Sequence, residues 1–316
     1  MKERVREIDY AKGMGILLVM FGHSMTLIAN PFNTFILAFH MPLFFFLSGM
    51  TIKCDCGIGN YIFKRLRRIG VGIIISELVY IIVGLTVDIY WKKRVNIHTF
   101  DYLKGFDNWF LISLFFASIA AYKIIEFKRI WGATVSMVVA LLLWGNYDAL
   151  GILEIAYLKQ TLLAFVFIVS GAYFGTWIVQ CLKNYCRTII FEIIMICIII
   201  ISIVSSYNGP CAMAGNIYGK IQWLFVLSSY MGIILILALS VSAESKILAL
   251  CGRNSLIIFT THFGAQKLLI AVWESLRIHN YMDYPYYFIM FCLLLAIEIP
   301  VALVADKKCR TDPVKS

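Results

Sequence analysis

Charge is what this chain has least of. Charged residues make up 15% of its 316 positions, against roughly 25% in a soluble globular domain, while hydrophobic residues make up 61%. A water-soluble fold has no way to hide that much apolar surface, so lipid is the solvent for most of the chain. Soluble cytoplasmic, secreted and nucleic-acid-binding classes are excluded at this step. A disulfide framework is lacking too. Of nine cysteines, Cys54, Cys56, Cys181, Cys186, Cys251 and Cys309 fall in segments assigned to the cytoplasmic face, Cys197 and Cys292 fall in apolar runs, and Cys211 alone lies in an outward loop. That is a distribution of reduced thiols. Cys54-Asp55-Cys56 has no second ligand pair at zinc spacing, so no metal site is expected. No connection exceeds about 20 residues, and neither a solenoid period nor a transporter-like inverted repeat is evident. Residues 1–316 therefore read as one integral-membrane domain, with a transmembrane core over about 8–305 and no separate soluble domain. A cleavable leader is not expected either, because the first apolar run is too long for one and lacks a small-residue cleavage site.

What the chain does have is apolar runs, roughly the length a helix needs to cross the hydrocarbon core. They cover 8–28, 34–52, 69–89, 109–125, 131–145, 158–180, 188–206, 222–241, 254–275 and 285–305. The expected fold is all-α, a polytopic bundle of about ten transmembrane helices. The net charge of +10 sits in short clusters between these runs, as in Lys64-Arg65-Leu66-Arg67-Arg68. Such clusters mark cytoplasmic loops and anionic lipid headgroups rather than a nucleic-acid partner. With the N-terminus inside, 18 Lys and Arg fall in cytoplasmic segments and 7 in outward loops. Both termini are then cytoplasmic and the chain spans the inner (plasma) membrane. The outward cluster Trp91-Lys92-Lys93-Arg94 runs against the trend.

Ionisable groups at bilayer depth are functional candidates by default. In the first span Lys12 and His23 are eleven residues apart, so they share a helix face within about 20°, about 16 Å apart along the axis. Asp9 lies on the same stripe, within about 40° of His23. Gly13, Gly15 and Gly22 let a neighbour approach closely. In the next span His40 should reach the depth of His23, and Pro42 frees the carbonyl of Ala38. Arg65 and Arg68 share a face and suit bidentate phosphate contacts. Asn254 or Ser255 can cap the ninth span, which carries His262 about two turns in. Trp109 opens the fourth span, and Glu77, Glu192 and Glu298 are further acids in apolar runs. Each has a blander alternative. Asp9 and Lys12 also fit interfacial anchors, the histidines interhelical hydrogen bonds, the arginines ordinary topology, and Trp109 an aromatic belt.

Several of these pieces occur together and in order: Arg6-Glu7-Ile8-Asp9 through Lys12-Gly13 to Gly22-His23-Ser24, then Phe39-His40-Met41-Pro42-Leu43-Phe44-Phe45-Phe46-Leu47-Ser48-Gly49. Arg65-Leu66-Arg67-Arg68, Trp109-Phe110-Leu111 and Gly252-Arg253-Asn254-Ser255-Leu256 with His262 follow. In this the chain resembles the acyltransferase type 3 family of membrane-integral O-acyltransferases, and it is similar to the short sugar O-acetylases of polysaccharide loci and to a membrane module fused to serine racemases. The resemblance implies about ten helices and transfer of an acyl group, acetyl by preference, from cytoplasmic acyl-CoA to a hydroxyl of a cell-surface polysaccharide or lipid-linked sugar. The family's basic residue eleven before the first-helix histidine falls on Lys12, the histidine on His23, and its Arg-x-x-Arg on Arg65 and Arg68. The hydrolase-like domain fused to some members has no counterpart here.

Acyl transfer from a thioester needs a base, an oxyanion stabiliser and a site for donor phosphates, and no permanently bound cofactor. The expected catalytic residues are His23 as base with His40 and Asp9, and His40 or His262 is placed to stabilise the oxyanion. Lys12, Arg65 and Arg68 are expected to bind acetyl-CoA. Ser24, Trp109, Asn254 and His262 are expected to meet the acceptor. Partners are acyl-CoA, the glycan or lipid-linked sugar and membrane lipids, with no nucleic acid. A proton-linked transporter or flippase using the same polar stripe is the alternative.

Overall fold

A computed structural model describes residues 5–25, 30–87, 89, 108–153, 155, 157–275 and 284–311. The Trp91–Arg94 cluster lies outside them. The chain is almost wholly helical: α1 (Arg6–Ser24), α2 (Pro31–Leu37), α3 (His40–Met50), α4 (Ile58–Val87), α5 (Trp109–Glu126), α6 (Ile130–Gly145), α7 (Leu158–Asn184), α8 (Arg187–Asn208), α9 (Gln222–Val241), α10 (Lys246–Arg253), α11 (Ser255–Ser275) and α12 (Tyr284–Thr311). Two-residue strands β1 (Cys211–Ala212) and β2 (Ile217–Tyr218) pair antiparallel between α8 and α9. Asn208 secures that turn, donating to the Tyr218 carbonyl at 2.9 Å and accepting from the Ile221 amide at 2.7 Å.

Among the described residues, eight helices are long and apolar enough to cross a membrane, with α2 and α3 counted as one span over Pro31–Met50. The charges of its first two turns keep α1 from meeting the same test, and α6 is a shorter apolar helix. Three boundaries differ from expectation. The third span begins at Ile58, not Ile69, because its first turns carry the basic cluster as helix; Arg65 and Arg68 lie about two turns inside α4. The second span starts at Pro31, with Asn30 accepting from the Asn33 amide at its cap, and breaks at Ala38-Phe39. A short extra helix, α10, precedes the ninth span; its Ser245 cap accepts from the Leu248 amide.

The break has the expected source. Proline at position 42 removes the N–H that would satisfy Ala38, and the Ala38 carbonyl accepts instead from Ser229 Oγ of α9 at 2.9 Å. Packing then turns on close backbone approach. Built onto Gly49, a Cβ would run into the Ile168 carbonyl, and onto Gly171 into the Phe46 carbonyl, so α3 and α7 cross backbone to backbone. α1 is central, touching α3, α9, α10, α11 and α12. On the outside, α4 shows Ile74, Leu78 and Ile82 at i, i+4 spacing and α8 shows Phe191, Ile196, Ile199 and Ile203. A water-soluble protein would not leave such stripes uncovered; lipid covers them.

Candidate active site

The basic residues of α1 and α4 converge. Arg65 is held by two hydroxyls, donating from Nη2 to Ser48 Oγ at 2.7 Å and from Nε to Ser118 Oγ at 3.1 Å. Its guanidinium also lies 5.9 Å from the Tyr61 ring centre. The side chain thus ties α4 to α3 and α5 in one conformation, and leaves the fork only partly spent. Lys12, Arg65 and Arg68 line one cleft with Ser48, Thr51, Ser255 and the rings of Phe44, Phe110 and Phe259. The cleft has about 630 Å³ of empty space, its open mouth included. Three cationic side chains thus border one apolar-walled space and set a positive potential in it.

Phe259 is the wall between this cleft and a group of imidazoles. Its ring centre lies 5.7 Å from that of His262, and His262 is 5.3 Å from His23. Phe263 stacks beside both, 4.6 Å from His23 and 4.2 Å from His262. The pair is therefore one aromatic ring beyond the cation-lined cleft. His262 is fully buried. Its Nδ1 contacts the Phe259 carbonyl at 2.8 Å and the Ile258 carbonyl at 3.1 Å. His40, also buried, makes the same kind of contact to Ile36 at 3.0 Å, and lies within electrostatic reach of His23. A carbonyl only accepts, so Nδ1 carries the proton in both rings and Nε2 of the neutral form is a lone pair. In this tautomer the neutral rings keep no further N–H, so stabilising an oxyanion is a role for the cationic form of either ring.

Other expected residues fall apart from this centre. Asp9 is buried against α10: a Cβ on Gly252 would strike its carbonyl, and one on Gly13 the Leu248 carbonyl. It sits about 21 Å along the axis from His23, too far to orient the imidazole directly. Ser24 turns back, its hydroxyl donating to the Phe21 carbonyl at 2.7 Å. Asn254 joins α10 to α11: its side chain donates to the Leu250 carbonyl at 3.0 Å, and its own carbonyl accepts from the Ile258 amide at 3.1 Å, while its neighbour Ser255 faces the cleft. Trp109 is no belt residue; it is buried against Phe45 and Phe110, and Phe110 is the residue that reaches the cleft. Among the acids, Glu192 is exposed, Glu77 accepts from Asn108 at 2.5 Å, and Glu298 is buried, accepting from Thr261 at 2.7 Å.

Gln266 was not singled out from the sequence. Its Nε2 donates to the backbone carbonyl of His23 at 2.7 Å, joining α11 to the last turn of α1. A glutamine one turn after His262 in an apolar helix was a readable signal. Ser48 and Ser118 carried none, since serine is common in membrane helices. Outside the spans, burial first and then the charges of Glu126 and Asp55 push the Cys54 thiol up.

A sequence model of the family described as an acyltransferase domain matches residues 5–303. No curated protein and no solved structure matches the chain.

Proposed function

We propose, because this chain belongs to the acyltransferase type 3 family, that it moves an acetyl group from acetyl-CoA to a hydroxyl of a cell-surface polysaccharide or lipid-linked sugar. It is a multi-pass membrane acyltransferase; donor, acyl chain and acceptor are the proposed part. The observation that carries the reading is the shared wall, Phe259, which faces the Lys12–Arg65–Arg68 cleft on one side and His262 on the other. Donor phosphates bind among the cations, and the pantetheine arm carries the thioester past Phe259 toward His23. His23 removes the proton from the acceptor hydroxyl, the oxygen attacks the thioester carbonyl, and the tetrahedral intermediate collapses with release of CoA thiol. The positive-inside count supports both termini in the cytoplasm of the inner membrane, so that donor enters from inside and acceptor from outside.

The test uses purified protein, acetyl-CoA labelled in the acetyl group and an extract of membrane and surface glycans. Label should pass to glycan, and His23→Ala should stop the transfer with expression and acetyl-CoA binding intact. A protein that neither binds nor consumes acetyl-CoA is not this enzyme, and substantial transfer by His23→Ala removes His23 from the role of base.

A further inference from the structure

The proposed reaction uses one imidazole as base, yet the structure presents two, and the second is unusually well prepared. His262 is fully buried, and its Nδ1–H is committed to two carbonyls of its own helix. Its Nε2 has no hydrogen-bond partner among the described residues. A buried acceptor without a donor is destabilising, and a catalytic role is one reason a protein keeps one. The nearest titratable ring is His23, with centres 5.3 Å apart and planes 36° from parallel. Gln266, one turn further along α11, grips the His23 backbone, so the helix that holds the lone pair also holds its neighbour in place. Phe263 packs against both rings.

We propose that His262 is the second half of a proton relay. This role rests on the acyl-transfer reading above. One nitrogen of His23 takes the acceptor hydroxyl proton while the other gives its proton to His262 Nε2. The new C–O bond forms as the C–S bond breaks. The proton on His262 returns through His23 to the departing CoA thiolate, leaving both rings neutral. His23 must close onto Nε2 for this step, and the Nδ1–H bonds to the Ile258 and Phe259 carbonyls hold the His262 ring in place in either charge state. Gln266 is a positioning residue: it fixes the distance between rings and takes no proton.

The decisive variant is His262→Asn. An asparagine amide still donates from near the Nδ1 position to the Ile258 and Phe259 carbonyls and lacks only the ring nitrogen at Nε2. In full-length protein in nanodiscs, the relay requires kcat for glycan acetylation to fall about 100-fold, with acetyl-CoA binding and thermal midpoint unchanged. His262→Ala should behave alike and recover part of its rate when imidazole is added. Gln266→Met should lower kcat and leave the KM for acetyl-CoA alone, and Gln266→Asn should recover little, since its reach is shorter. Near wild-type kcat in His262→Asn overturns the relay, as does a His262→Ala protein that binds donor yet gains nothing from imidazole. If wild type itself transfers no acetyl group, the enzyme reading has failed; if wild type is active and the His262 variants are too, only the relay has.

Discussion

At the scale of single residues, Arg65 and His23 show how far side-chain chemistry is written locally. An arginine in the second turn of a cytoplasmic-end helix is common, and only its partners make it specific. Because Ser48 and Ser118 hold its planar fork, lysine cannot replace it: an ammonium spans neither pair of bonds in the same pose. Arg65→Lys should weaken acetyl-CoA binding about 10-fold or more, the loss of roughly one charge-assisted hydrogen bond, with a smaller effect on kcat. Titration calorimetry on purified protein reads this directly, and an unchanged affinity would free Arg65 from the donor site. Cys211 offers a prediction away from the chemistry. It is buried in the α8–α9 turn, and burial pushes its thiol up to about 11. Below that pH the neutral thiol dominates, and only thiolate reacts. A protein keeping Cys211 alone should label slowly with maleimide near neutrality and faster as pH rises; fast labelling at pH 7 would show that the turn is open.

At the scale of elements, small residues decide where helices meet. α3 and α7 cross through Gly49 and Gly171, each facing a carbonyl of the other helix. Gly171→Ala should cost about 1–3 kcal/mol through overpacking, read as a lower midpoint of thermal unfolding. Gly59, near the start of α4, has nothing within 4 Å of a built Cβ. Gly59→Ala should therefore be neutral or raise stability by up to about 1 kcal/mol. Equal effects of the two substitutions would refute the close crossing. The α2–α3 break belongs to this scale as well. Pro42 was readable in the sequence, and so was the freed Ala38 carbonyl, but the partner that satisfies it, Ser229, lies 191 positions away and has no sequence signal.

At the scale of the whole molecule, α4, α8 and α12 turn apolar stripes outward while α1 lies inside. Orientation across the membrane is open to a direct test through Cys186, exposed in the α7–α8 connection. With Cys186 as the sole cysteine, a membrane-impermeant maleimide should label inside-out vesicles and spare intact cells. Labelling of intact cells would invert the topology and put the cation-lined cleft on the wrong side for cytoplasmic acyl-CoA.

The all-helical class and the place of most apolar runs were legible because hydrophobic length and helical period are local properties: each run carries its own cost of staying in water and announces itself without reference to the others. The Lys12–His23 stripe was legible for the same reason, since one helix fixes its own angular spacing. The extension of α4 back to Ile58 and the extra α10 were not, because amphipathic helix at the interface lacks a hydrophobic run. Tertiary structure alone decided that Lys12 meets Arg65 and Arg68, that His262 rather than Asp9 neighbours His23, and that Trp109 yields its place at the cleft to Phe110. Those pairings depend on which faces of distant helices pack together, and the proton on His262 Nδ1 depends on two carbonyls being within reach. Sequence spacing constrains the first only within a helix and the second not at all.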